Sequence, residues 1–145
     1  MRPLKQFNEF LKEGIVKKQS PDKERAKSLT KESEDAYNFL KEILNKFEIS
    51  NDNANYIIKN IYDIIMELIR AKMLIHGFKS SGFYSHEAEV SYLKELNFPE
   101  SEIQFTNQLR YFRNGILYYG KAFDKEYAKK VIDFLNKIYP KLKNK

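Results

Sequence analysis

From Ala26 onward, apolar and small residues recur at Leu29, Ser33, Ala36, Leu40, Ile43 and Phe47, in steps of 3, 4, 3, 4, 3 and 4. That alternation keeps one side of an α-helix apolar, and the two-residue period of a half-buried strand does not fit it. The same spacing returns across most of the chain. Ile57, Ile58, Ile61, Ile64, Ile65, Leu68, Ile69 and Leu74 form a wider apolar arc, which predicts a central helix with several neighbours. Ile103, Phe105, Leu109, Phe112 and Ile116 make a third stripe, and Ala128, Val131, Ile132, Leu135, Ile138 and Leu142 a fourth. No segment reads as a strand.

Punctuation sets the boundaries. Pro3 suits a first helical turn, followed by Leu4, Phe7, Phe10 and Leu11 and a stop near Gly14. Ser20-Pro21-Asp22 reads as an N-cap with Pro in the first turn. Asn51 or Asp52 is expected to cap the Ile-rich helix, and Lys79 to Tyr84 is a loop by composition. Ser85 is expected to cap a helix with His86, Glu87 and Glu89 in its first turn. Phe98-Pro99-Glu100 opens the next helix, Gly120 ends it, and Asp124 caps the last. The prediction is an all-α fold, an antiparallel up-and-down bundle of about four main helices plus one or two short ones. It forms a single domain over residues 1–145: a short N-terminal helix and connector over 1–19, the bundle over 20–142 and a basic tail over 143–145.

Composition narrows the function. With 42% hydrophobic and 32% charged residues the chain is neither disordered nor membrane-embedded. No run approaches the roughly 18 apolar residues of a membrane span. MRPLKQFNEFLKEG lacks the apolar stretch of a secretory signal, so a cytoplasmic protein is expected. Without cysteine there are no disulfides, thiolate metal sites or cysteine nucleophiles. With His76 and His86 as the two histidines, no metal centre has support from spacing and no cofactor is expected. No Gly-rich phosphate loop is present, and the adjacent Ser85 and His86 point apart at a helix start. Residues 121–145 hold eight Lys against Asp124, Glu126 and Asp133, a net +5 of the chain's +6. Such a segment is either a solvated surface or an attraction for an acidic partner such as RNA.

Two constellations stand out. Tyr56, Asn60, Asp63, Glu67 and Arg70 form one polar line on the Ile-rich helix. It is either an exposed stripe with a Glu67–Arg70 pair, or a buried line that orients an arginine of another helix. The second constellation runs from Leu109 to Lys121 and contains Arg110, Tyr111, Arg113, Asn114, Tyr118, Tyr119 and Lys121. Arginine forks onto phosphate and tyrosine stacks on unpaired bases, although tyrosine-rich helices also serve as core and dimer surface. Gly115 in mid-helix calls for a close approach by another helix or a ligand.

At these residues the chain resembles the HEPN (higher eukaryotes and prokaryotes nucleotide-binding) domains. These are small helical bundles with a motif of Arg, a polar residue, a few variable residues and His near the last long helix. Arg113-Asn114 followed by Gly115-Ile116-Leu117 fits the first part of that motif, and Ser85-His86-Glu87-Ala88 is similar to archaeal and bacterial members. The layout is alike from Ser20 to Leu142. Tyr118, followed by Tyr119 and Gly120, stands where the family's His usually falls.

The resemblance implies a homodimer, with Arg113 stabilising phosphate charge. In ribonuclease members it implies metal-independent cleavage, with the RNA 2′-hydroxyl attacking and the His assisting proton transfer. A phenol with a pKa of about 10 suits that proton transfer poorly but can hydrogen-bond phosphate or ribose. Arg113, Asn114 and Tyr118 are therefore the expected reactive-site residues, with Arg110, Tyr111, Tyr119, Lys121 and His86 binding and Asp63, Glu67 and Arg70 supporting. His76 reads as a charge at a helix C-terminus.

Three functions follow: a catalytically degenerate RNA- or nucleotide-binding protein, a metal-independent ribonuclease toxin, or the partner of a minimal nucleotidyltransferase in a toxin–antitoxin pair. In the last, Tyr118 or Tyr119 would be the target of nucleotide addition.

Overall fold

The computed structural model, which describes residues 2–145, runs α1 (Phe7–Lys12), β1 (Val16–Lys18), α2 (Lys23–Lys46), α3 (Ala54–Ile75), β2 (Phe78–Ser80), α4 (Ser85–Glu95), α5 (Glu100–Tyr119) and α6 (Lys125–Lys143). The fold is all-α apart from one small two-stranded sheet. The Ile-rich helix α3 is its axis, packing against α2, α4, α5, α6 and β2. Ile58, Ile61, Ile65, Leu68 and Ile69 are completely buried there. Each such side chain contributes about 1.5–3 kcal/mol on leaving water, so the wide apolar arc fixes α3 at the centre. No helix among the described residues is long and apolar enough to cross a membrane.

Helix directions can be read from contacts at the ends. Lys72 Nζ donates to the Lys143 carbonyl at 2.9 Å, and Asn55 Nδ2 donates to the Lys121 carbonyl at 2.8 Å. Thus α3 and α6 run the same way. Near its start α5 meets the end of α6, where Lys141 Nζ donates to Glu102 Oε1 at 2.8 Å. Along α2, Glu34 pairs with Lys143 and Tyr37 stacks on Tyr139 at 3.9 Å, so α2 also opposes α6. The four long helices alternate in direction, and α1 and α4 are the short ones.

Two strands correct the expectation of none. β1 and β2 pair antiparallel, with Val16 opposite Ser80 and Lys18 opposite Phe78. Three residues are too few to show a two-residue period, and β2 occupies part of the stretch that reads as a loop. Gly77, with φ of +82°, makes this pairing possible: a Cβ there would lie 2.6 Å from the Gln19 carbonyl oxygen.

Several helix starts also shift. Pro3 lies outside α1, which begins at Phe7, with Glu9 Oε2 accepting the Gln6 N–H at 2.8 Å. Asp22, not Ser20, caps α2 by accepting the Arg25 N–H at 3.0 Å, leaving Pro21 before the helix. Asn53, not Asn51 or Asp52, precedes α3, because Asn51 Oδ1 accepts the Lys125 N–H instead. Ser85 lies inside α4, and Tyr84 takes the cap position. At Asn51 a tertiary partner draws the side chain away, whereas the Gln6 and Asp22 bonds are local.

The Asp124 cap and the left-handed Gly120 stop stand where expected. Gly120 has φ of +64°. Phe47, expected on the α2 seam, is 64% exposed, since its extended backbone takes it off the helix face. His76 caps the end of α3 and also hydrogen-bonds the Tyr92 hydroxyl through Nδ1 at 2.5 Å. The basic last helix is partly neutralised: Lys137 and Lys141 flank the buried Glu102, and Lys143 pairs with Glu34.

Candidate functional site

Arg110, Arg113, Asn114 and Tyr118 share one face of α5, as their helical spacing requires. That face looks across a cleft of about 640 Å³ at the start of α4. Arg2, Tyr84, His86 and Glu87 line the opposite side, with Phe83 and Tyr119 at the rim. The volume falls in the range of small-ligand sites. The rim is aromatic and exposed: Phe83 is 92% accessible, Tyr119 80% and Tyr118 73%.

Two α3 residues, Tyr62 and Asp63, contact side chains that line the cleft. Arg113 Nη2 donates to Asp63 Oδ1 at 3.4 Å, long for a charge-assisted bond, and Arg113 Nε is buried without a partner among the described residues. The guanidinium carbon sits 5.5 Å above the ring of Tyr62, within cation–π range. The Tyr62 hydroxyl lies 3.2 Å from His86 Nδ1. Burial of Tyr62, reinforced by Glu89, pushes its phenol well above the ordinary range, so it stays protonated.

His86 shifts the other way. Burial lowers its pKa from 6.5, and the positive charges of Arg70 and Arg113 add to this against the opposing pull of Glu89 and Asp63. The imidazole is therefore neutral at neutral pH. Arg110 Nε is held by Asn107 Oδ1 at 3.0 Å, and among the described residues no carboxylate pairs with Arg110. Arg2 donates to the buried Glu87 at 2.7 Å and lies over the Tyr84 ring.

Beside the cleft, Glu89 accepts three hydrogen bonds. It accepts from Arg70 Nε at 3.0 Å and Nη2 at 3.2 Å, and from Ser80 Oγ at 2.7 Å. The Glu67–Arg70 pair expected within α3 is therefore not formed, because α4 offers Arg70 a buried carboxylate with better fork geometry. Glu67 is left with Oε2 buried and unbonded, and burial, with Glu32 next, raises its pKa.

The fold thus gathers Arg110, Arg113, Asn114, Tyr118, Tyr119 and His86 around one cavity, with Asp63 touching Arg113. Tyr111 and Lys121 do not line it: the Tyr111 ring leans toward Phe112, and the Lys121 stem covers Gly115, with Cδ 3.2 Å from where a Cβ would stand. That stem is the close approach for which Gly115 leaves room. Sequence reasoning missed Tyr62, Glu89 and Arg2. Tyr62 had a signal, being a hydroxyl-bearing ring within an isoleucine run that needs a polar partner when buried; Arg2 had none. Among the described residues no group of His, Asp or Glu converges as a metal-binding set. No family model, curated protein or solved structure matches the chain.

Proposed function

We propose that the chain binds single-stranded RNA or a nucleotide in this cleft, as a HEPN-like module without catalytic turnover. The observation that carries the proposal is the pairing of unsaturated arginines, Arg110 and Arg113, with an exposed aromatic rim in one cavity. Guanidinium forks take phosphate oxygens, and Phe83, Tyr118 and Tyr119 offer faces on which bases of any sequence stack. The family resemblance adds a homodimer.

Fluorescence anisotropy with a labelled oligoribonucleotide in EDTA tests this reading. Affinity is expected to fall in Arg113→Ala, in Tyr118→Ala and with rising salt. Binding indifferent to all three would refute it.

Metal-independent cleavage is a second reading, favoured by one observation: His86 lines the same cleft as Arg113, whose own motif offers Tyr118 and no His. RNA fragments on a gel, lost in both Arg113→Ala and His86→Ala, would establish cleavage in place of binding alone.

A further inference from the structure

We infer that Tyr62 is a positioning residue that sets the tautomer of His86, holding its proton on Nε2, while its ring seats the Arg113 guanidinium. This deepens the reading of the cleft as an anion site and rests on it for the ligand class: His86 Nε2–H joins the arginines as a neutral donor to phosphate oxygens.

Tyr62 is 1% exposed, and among the described residues its hydroxyl has one hydrogen-bond partner, His86 Nδ1 at 3.2 Å. If Nδ1 carried the proton and donated to the phenol, the phenol's own proton would be buried with no acceptor. If instead the phenol donates, both groups are satisfied, and the imidazole proton must sit on Nε2.

Glu89 does not compete for an Nδ1 proton. Its Oε1 is 4.0 Å away, beyond hydrogen-bond reach, and its oxygens already accept from Arg70 and Ser80. The charged groups around the ring are Glu89 on its own helix, Arg70 and Asp63 from α3, and Arg113 from α5. Burial, with Arg70 and Arg113, keeps the ring neutral against the pull of Glu89 and Asp63.

One consequence separates the two functional readings. A neutral imidazole with Nδ1 occupied and Nε2 protonated has no lone pair facing the cleft, so it donates to a phosphate and does not deprotonate a 2′-hydroxyl. Tyr62 thereby biases the cleft toward holding a phosphodiester intact.

The test is the tautomer itself. In the full chain with ¹⁵N-labelled histidine, a long-range ¹H–¹⁵N correlation at neutral pH is expected to show His86 protonated at Nε2, with His76→Gln assigning the other ring. In Tyr62→Phe the preference should relax toward a mixture, and oligouridylate affinity should fall about three- to tenfold. An Nδ1–H signature in the wild type, or an unchanged pattern in Tyr62→Phe, would overturn the inference. An Nδ1–H signature in the wild type overturns the inference even if the variant folds poorly. The spectrum needs no ligand: an Nε2–H signature with no oligouridylate binding would support the positioning role and sink the RNA reading. Arg113-dependent binding with Nδ1–H would do the reverse.

Discussion

Arg70 sets two nitrogens on Glu89 at 3.0 and 3.2 Å, whereas Arg113 reaches Asp63 with one nitrogen at 3.4 Å. Their acids differ as much as their geometry: the Glu89 side chain is 3% exposed and that of Asp63 50%. Glu89 has lost its water and takes hydrogen bonds from Arg70 and Ser80 in its place; Asp63 keeps its water and leaves most of the Arg113 fork unoccupied. Two identical side chains thus divide into one whose fork is engaged by the fold and one that makes a single long bond. Donor occupancy, not residue type, separates them.

The strongest attempt to break that contrast is Arg70→Ala. Stranding Glu89 as a buried charge should cost about 3–5 kcal/mol in denaturant unfolding. A loss below about 1 kcal/mol would mean that Arg70 is as dispensable to the fold as an exposed pair. Arg113→Ala should leave stability within about 1 kcal/mol, because Asp63 is solvated, yet lower oligoribonucleotide affinity about tenfold or more. If instead it unfolds the chain, the two arginines do not differ in kind.

Glu67 sharpens the comparison from the acid side. Its raised pKa means that the folded state binds its proton more tightly than the unfolded chain does. Ionisation is therefore a cost to the fold above the raised pKa, and the cost disappears as pH falls below 4.5. Glu67→Gln should accordingly stabilise at neutral pH, with the gain vanishing in acid, as read by unfolding at both pH values. His86 has the opposite dependence. Its lowered pKa gives stability that is present above 6.5 and lost as pH falls through the folded value, and His86→Gln should flatten that slope.

The smallest effect belongs to Gly115→Ala. The helix gains about 0.5–1 kcal/mol in propensity, offset by moving the flexible Lys121 stem. Stability within about 0.5 kcal/mol of wild type and unchanged RNA affinity would place this glycine outside the ligand's reach.

Much of the fold was legible because its information is local. The run from Ala26 to Leu40 and the isoleucines of α3 announce helices within a few turns, and Asp124 and Gly120 mark ends through their own backbone chemistry. The β1–β2 pair was not legible, because its strands are three residues long and join distant parts of the chain. The choice of Asn53 over Asn51 also depended on a contact beyond the segment. Arg113, Asn114 and Tyr118 were found as a cluster because one helix carries them; Tyr62 and Glu89 were missed because their partners lie on other helices.

The sequence by itself determined that this chain is helical, where most of its helices lie, and that Arg110, Arg113 and Asn114 share a face, since periodicity is written between one turn and the next. Tertiary structure alone decided that Arg70 would fork onto Glu89 and that His86 would meet Tyr62 across the cleft from Arg113. Those contacts depend on how far each helix is rotated and offset against α3, which the packing of the whole core sets and no single segment encodes.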